Sequence, residues 1–150
     1  MIFGRMLIYL LGKLINFDAI SDKFPVSVKS VIVDEKRVLL LKNERGEWDL
    51  PGGKIENRET VADTLVREVK EETNITIDEY SILHADKYFI RDQGVIVIIF
   101  YAMLTGEEPI RMSFENIDYS FFSDDEVRKL KLTPWARDGL EKFRKRVSKR

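Results

Sequence analysis

Short runs of apolar residues recur along the chain, and their spacing predicts strands. Residues 26–33 and 37–41 form two strand-like runs joined by three polar residues, which is the pattern of a β-hairpin. Residues 94–104 form a continuous apolar run that is rich in β-branched side chains and too short to cross a bilayer, so this run predicts a buried strand. Three further segments have strand-like patterns: residues 75–77, 80–90 and 114–122.

After residue 60 the apolar spacing changes from that of a strand to that of a helix. Thr60 and Asp63 have the form of a capping box, with a hydroxyl at the N-cap and a short acid three residues on. The apolar residues that follow recur on one helical face: Ala62, Leu65, Val66 and Val69. Glu68, Glu71 and Glu72 are spaced i, i+3, i+4 and fall together on a neighbouring face. Three carboxylates therefore crowd one side of one predicted helix.

The C-terminal third predicts two more helices, a short one that begins at residues 124–126 and a longer one over residues 134–146. Strands that flank a helix, followed by further strands and terminal helices, indicate an α/β fold in which helices sandwich a mixed β-sheet. We expect residues 24–150 to form a single domain, preceded by an N-terminal extension over residues 1–23 that we predict to be helical.

The first sixteen residues resemble a signal peptide at first sight, but Arg5 and Lys13 interrupt their apolar run. The run is shorter than the roughly 18 residues that a membrane span requires, and no small-residue cleavage site follows it. We therefore expect no membrane span. The prediction is that the segment packs on the domain or on a second subunit, which makes a homodimer possible, with peripheral membrane contact as the alternative.

Composition narrows the chemistry that the chain can use. A chain of 150 residues corresponds to one ordinary domain. It contains no cysteine, which excludes disulfides, thiolate metal sites and a thiol nucleophile and favours a cytoplasmic location. The net charge is only −1, but residues 128–150 hold ten Lys or Arg against two acidic residues. A solvated helix end is the preferred interpretation of this basic stretch; RNA contact is the alternative, and DNA binding is not expected.

The clustered glutamates need an explanation, because like charges at these spacings repel each other. A solvated acidic face would be the usual explanation for such a run. A bound Mg²⁺ or Mn²⁺ is the other, since hard divalent ions prefer carboxylate and carbonyl oxygens. The second explanation gains weight from the turn upstream, where Pro51, Gly52 and Gly53 allow the backbone to approach a ligand closely.

The glycine turn and the acidic helix together resemble the Nudix box of the Nudix hydrolase family. The pattern extends over residues 53–75 and fixes seven polar or glycine positions, of which six match: Gly53, Glu59, Arg67, Glu68, Glu71 and Glu72. The departure is Asn74, where the family has glycine; Asn is the non-glycine residue that most readily adopts the left-handed conformation. A second departure is Arg58, where many members carry glycine.

The resemblance implies a Nudix fold and a set of residue roles. Glu68, Glu71 and Glu72 would bind Mg²⁺ or Mn²⁺, and Gly52 would add its carbonyl oxygen. Glu59 and Arg67 would pair with each other and fix the loop against the helix. The water that attacks phosphorus needs a carboxylate to orient or deprotonate it. Glu68 is one candidate, and beyond the box Glu115 is slightly preferred to Asp118.

The activity that the resemblance implies is hydrolysis of a nucleoside diphosphate linked to another group, by metal-assisted attack of water. Two alternatives stay open: an RNA-directed Nudix enzyme and a non-catalytic nucleotide sensor, although a sensor usually lacks some of the box carboxylates. An isoprenyl diphosphate isomerase of the same fold would need a cysteine, which this chain does not have. The box itself does not choose among ADP-ribose, dinucleoside polyphosphates, oxidised nucleoside triphosphates and nucleotide sugars.

Overall fold

A single mixed β-sheet carries all the strands among the residues that the structure describes. The computed structural model describes residues 24–106 and 108–149. Its strands are β1 Val26–Asp34, β2 Arg37–Lys42, β3 Trp48–Asp49, β4 Tyr80–Ile90, β5 Gln93–Met103 and β6 Asp118–Phe122. Its helices are α1 Val61–Thr73, α2 Asp124–Val127 and α3 Pro134–Val147.

The strand order is β3-β2-β1-β5-β4, and β6 pairs with β2 outside this path. Strands β1 and β5 are parallel, whereas the other pairings are antiparallel, so the predicted mixed sheet is confirmed. The predicted hairpin is also confirmed, because Asp34 of β1 lies opposite Arg37 of β2. Strand β1 lies in the middle of the sheet, between β2 and β5. The segment that follows β3, residues 51–53, lies beside β1.

Helices cover the two faces of the sheet, and each face has its own apolar core. On one face, Leu65 and Val69 of α1 pack with Val28 and Ile32 of β1. On the other face, Ala136 and Leu140 of α3 pack in a cluster that includes residues of β1, β2 and β5. The apolar stripe predicted for α1 is the part of the helix that faces the sheet, which leaves its acidic face free to line a site.

Two predicted strands differ from the structure. Ile75 and Ile77 are buried, but residues 74–79 are not part of any strand. Their β-branched pattern reflects burial without a neighbouring strand to pair with. The strand predicted over residues 114–122 begins only at Asp118, because a turn precedes it and leaves Phe114 97% exposed.

The predicted N-terminal extension, residues 1–23, lies outside the described residues. Within the described ranges, no helix is both long and apolar enough to cross a membrane.

Candidate active site

The glycine loop lies directly beside β1. Backbone hydrogen bonds join Val28 N to Gly53 O at 2.8 Å and Ser30 N to Pro51 O at 2.9 Å. Gly52 has a φ of 131°, and a Cβ on it would overlap the backbone of Val28. A Cβ on Gly53 would overlap the carboxylate of Glu68. Both glycines therefore permit close approaches, one to the central strand and one to the acidic helix.

Both ends of α1 form as the sequence predicts. Asp63 N donates to Thr60 Oγ1 at 3.1 Å and Thr60 N donates to Asp63 Oδ2 at 2.9 Å, which is a complete capping box. At the other end, Asn74 is the C-cap with a φ of 65°, and its N–H donates to Lys70 O. Asn74 thus adopts the left-handed conformation that glycine usually supplies. Arg58, the second departure from the family pattern, is also left-handed, with a φ of 72°.

Arg67 and Glu59 form the predicted ion pair, which ties the loop to α1. The contact is bidentate, with Nε to Oε1 at 2.5 Å and Nη2 to Oε2 at 2.9 Å. The hydrogen bond from Arg67 is the main cause that lowers the pKa of Glu59 to about 2. The same pairing raises the pKa of Arg67. The predicted contact between these two residues is confirmed.

The guanidinium of Arg67 also contacts two of the three box glutamates. Its Nη1 lies 2.8 Å from Glu68 Oε1 and 3.1 Å from Glu71 Oε2. Glu72 faces the loop instead, where its Oε2 accepts from Gly52 N at 2.7 Å. In the part of the chain that the structure describes, no three acidic or histidine side chains converge closely enough to form a metal cluster as they stand. Arg67 contacts the carboxylates of Glu68 and Glu71, whereas the carboxylate of Glu72 is turned towards Gly52.

Burial raises the pKa of two of these three carboxylates. Desolvation raises the pKa of Glu68, although Arg67 acts in the opposite direction. Desolvation likewise raises the pKa of Glu72, against the opposing effects of Lys29 and of the hydrogen bond from Gly52. Glu71 differs from both, since its side chain is 61% exposed. The acidic face therefore has a buried inner part and a solvated outer part.

A cavity of about 370 Å³ opens over the acidic face of α1. Its lining brings the helix together with the segment before β6: Glu56, Arg67, Glu68, Glu71, Glu72, Ser113, Phe114 and Glu115. Of the two carboxylates predicted beyond the box, Glu115 lines the cavity. Asp118 is instead the first residue of β6, where it lies opposite Lys42 of β2. Ser113 Oγ is buried at this cavity and has no hydrogen-bond partner among the described residues.

One charged pair beneath the loop was not predicted from the sequence. Lys29 Nζ donates to the carbonyl oxygen of Gly52 at 2.6 Å and lies 3.1 Å from Asp49 Oδ2. Burial alone would lower the pKa of Lys29, but Asp49 and Glu72 outweigh it, so the pKa is raised. The signal in the sequence was a lysine in a strand rich in valine and isoleucine, and that pattern does not identify its partners.

Asp49 is held from the opposite side by the C-terminal helix. Its Oδ1 accepts hydrogen bonds from Leu50 N at 2.7 Å, Thr133 Oγ1 at 2.9 Å and Trp135 Nε1 at 2.6 Å. Thr133 is the N-cap of α3. Contacts therefore run without a break from the start of α3, through Asp49 and Lys29, to the glycine loop.

Comparison with known proteins gives consistent matches over this region. The sequence model of the protein family described as NUDIX domain matches residues 23–143 of this chain. The MutT-like protein of Streptomyces ambofaciens is 35% identical over 104 residues, which are 68% of this chain and 66% of that protein. The ADP-ribose pyrophosphatase of Methanocaldococcus jannaschii is 32% identical over 111 residues, which are 70% of this chain and 65% of that protein. The chain spans from 20% to 66% of the length of the curated relatives it matches.

Two solved structures are matched over a larger share of their own length than these curated relatives are. The MutT protein from Methanosarcina mazei Go1 has a TM-score of 0.72 at 31% identity, covering 84% of this chain and 98% of that one. The MutT NUDIX hydrolase from Burkholderia pseudomallei has a TM-score of 0.74 at 25% identity, covering 81% of this chain and 98% of that one. The sheet and the helices on its faces are therefore those of a known fold.

Proposed function

The chain belongs to the Nudix family, and from this premise we propose that it is a pyrophosphohydrolase that cleaves a nucleoside diphosphate linked to another group. The observation that carries the proposal is the cavity over α1. There the box carboxylates, Arg67 and Glu115 line one space that is open to solvent and large enough for a diphosphate.

The donor set fits a hard divalent ion, and we propose Mg²⁺ or Mn²⁺. Carboxylate oxygens of Glu68, Glu71 and Glu72 are the ligands that such ions prefer. The unpartnered hydroxyl of Ser113 adds a polar atom at the same cavity. Glu68, Glu71 and Glu72 would hold the ion, which when bound would neutralise phosphate charge and lower the pKa of a water molecule.

The chain's own residues divide the remaining work. Arg67, fixed by Glu59, holds the Oε1 atom of Glu68 and so orients this carboxylate at the cavity wall. Glu68 lines the cavity beside the other box carboxylates and is the first candidate for orienting the attacking water. Glu115 lies across the same cavity and is the second candidate for orienting the attacking water. Phosphoryl transfer mainly requires positioning and charge stabilisation, which these residues supply.

A nucleotide substrate is supported by the names of the relatives, one of which is the ADP-ribose pyrophosphatase already mentioned. We propose ADP-ribose as the first compound to test. Dinucleoside polyphosphates, oxidised nucleoside triphosphates and nucleotide sugars complete the panel. We further propose a cytoplasmic location from the absence of cysteine, and a homodimer remains a prediction that light scattering can test.

The experiment is to incubate the full chain with this panel and Mg²⁺ or Mn²⁺, and to measure released monophosphate or phosphate. We expect turnover of at least one compound, reversible loss of turnover in EDTA, and little turnover by Glu72→Gln. Tight nucleotide binding without any cleavage would instead identify a sensor. Cleavage of RNA ends alone, with binding that weakens steeply as salt rises, would identify the RNA-directed alternative.

A further inference from the structure

The cavity over α1 has one apolar side chain in its described lining. Seven of the eight residues that line it are charged or polar, and the eighth is Phe114, which is 97% exposed. A nucleoside diphosphate has two parts with different needs, because its phosphates require charge and its base requires a flat apolar surface. Within the described lining, the ring of Phe114 is the surface that suits the base.

Exposure alone would assign no role to Phe114, because single apolar residues are common on protein surfaces. Ile82 and Phe89 are also exposed, but both belong to β4 and neither lines the cavity. Phe114 differs from them in its place along the chain. It lies between Ser113 and Glu115, and both of these residues line the cavity.

The turn that carries Phe114 is fixed to the rest of the site at both ends. Before the turn, Ser113 N donates to the backbone oxygen of Glu72 at 3.1 Å. After it, Ile117 N donates to Lys42 O at 2.9 Å. The turn is thus bonded to the acidic helix on one side and to the sheet on the other. Its position relative to the carboxylates is set before a ligand binds, which reduces the ordering cost of binding.

We propose that Phe114 is a specificity-determining residue, on whose ring the base of a purine nucleotide stacks while the phosphates lie at the acidic face of α1. The inference rests on the proposed function, which places a nucleoside diphosphate in this cavity. Stacking on an aromatic ring tolerates different hydrogen-bonding groups on the base, so adenine and guanine compounds should both bind. A purine is favoured over a pyrimidine, because its larger ring system stacks more strongly.

The test compares two ligands whose phosphorus–carbon–phosphorus bridge resists hydrolysis. They are α,β-methylene-ADP and methylenediphosphonate, which is the same bridge without the nucleoside. Binding of each to the full chain with Mg²⁺ is measured by calorimetry, and the wild type should bind the nucleotide more tightly. Phe114→Ala should weaken binding of α,β-methylene-ADP by at least about tenfold, the scale on which loss of one stacked base registers. Its affinity for methylenediphosphonate should stay within about twofold of the wild type, because no phosphate contact is removed.

Two further variants separate stacking from a general effect of surface change. Phe89→Ala is the matched control, since it removes an exposed phenylalanine that does not line the cavity, and it should change neither affinity. Phe114→Trp keeps a flat aromatic surface and should restore the affinity for α,β-methylene-ADP. Because Phe114 is almost fully exposed, neither of its variants should change the melting temperature.

A third ligand, α,β-methylene-UDP, tests the preference for a purine. It should bind to the wild type more weakly than α,β-methylene-ADP, and the difference should shrink in Phe114→Ala. Equal or tighter binding of the uracil compound by the wild type would overturn the purine assignment.

Other outcomes would overturn the role of Phe114 itself. Equal losses for α,β-methylene-ADP and methylenediphosphonate would mean that Phe114→Ala disturbs the phosphate site, and unchanged affinities would mean that the base does not contact Phe114. A wild type that binds the nucleotide no more tightly than methylenediphosphonate would contradict the inference as well. Turnover is measured separately. A chain that binds nucleotide through Phe114 but cleaves nothing would refute only the proposed function, whereas cleavage without this dependence on Phe114 would refute only the inference.

Discussion

Glu59 and Arg67 form one side-chain pair, and we propose that it shapes the site without touching substrate. The pairing leaves Arg67 with one nitrogen, Nη1, directed at Glu68 and Glu71. Loss of the charge on Glu59 should therefore loosen both the loop and the orientation of these carboxylates. This role was predictable from the family pattern, because the pattern fixes both residues at a constant separation.

Glu59→Gln should lower the melting temperature and reduce turnover together. Because the pKa of Glu59 falls from 4.5 to about 2 on folding, its contribution to stability is complete above about pH 4.5 and is lost as the pH falls towards 2. The difference in melting temperature between wild type and variant should thus be smaller at about pH 3 than at about pH 6. Thermal unfolding in EDTA measures it, with Glu44→Gln in an exposed turn as the matched control.

That control should show no difference at either pH. If Glu59→Gln removed turnover but left both thermal stability and metal affinity unchanged, Glu59 would act on substrate directly and the scaffold role would be wrong.

Lys29 marks the limit of sequence reasoning at the scale of single residues. The alternation in β1 predicts that Lys29 lies in a sheet, and the composition of the strand predicts burial. Its partners, Asp49 and the Gly52 carbonyl, come from segments whose distance from β1 is set only when β3 and the loop fold beside the strand. No local pattern encodes that contact.

At the scale of elements, the ends of α1 were predictable and the segment after it was not. Capping residues act through hydrogen bonds to their own helix, so Thr60, Asp63 and Asn74 carry their signal in the sequence. Residues 75–77 have the composition of a strand, but strand formation depends on a neighbour, and no strand within the described ranges pairs with them. Strand β6 likewise begins four residues later than its sequence pattern suggested, because its partner strand β2 ends at Lys42, opposite Asp118.

Asn74 gives a test at this scale. Asn74→Ala should lower the free energy of unfolding by about 1 kcal/mol, the cost of the left-handed conformation for a residue with a Cβ that cannot bond locally. Asn74→Gly should be more stable than Asn74→Ala, although both variants lose the hydrogen bond from Asn74 Nδ2 to Pro109 O. Urea denaturation in EDTA measures the order. An alanine variant as stable as the glycine variant would show that the backbone conformation does not limit this position.

For the whole molecule, part of the uneven charge is balanced by ion pairs in the C-terminal region. In the basic C-terminal helix, Arg144 pairs with Asp124 and Lys145 pairs with Glu141. Arg128 also contacts Asp124. These pairs satisfy part of the positive charge within the domain, which favours the solvated helix end over an RNA surface. The acidic site on α1 is left as the part of the molecule that needs a cation.

Metal should therefore stabilise the fold as a whole. An ion that binds only the folded chain adds about 2.7 kcal/mol at a hundredfold excess over its Kd, so Mg²⁺ or Mn²⁺ should raise the melting temperature and EDTA should reverse the change. Calorimetric scans with and without the ion measure this effect. Potassium chloride at equal ionic strength is the control and should produce no comparable shift; an equal shift would mean that screening, and not site binding, stabilises the protein.

If the box carboxylates support metal-dependent cleavage of a phosphoanhydride, the negative charge of Glu72 is required for the reaction. Glu72→Gln keeps the size and an oxygen that can accept from Gly52 N, while it removes the charge. The measurement is the initial rate of the variant relative to wild type at saturating Mg²⁺, on the best compound of the nucleotide panel. We predict a fall of at least about a hundredfold, with the melting temperature in EDTA unchanged or higher because repulsion within the acidic cluster is relieved. A rate within a few fold of the wild type would contradict the account, since Glu72 would then carry none of the charge on which the reaction depends.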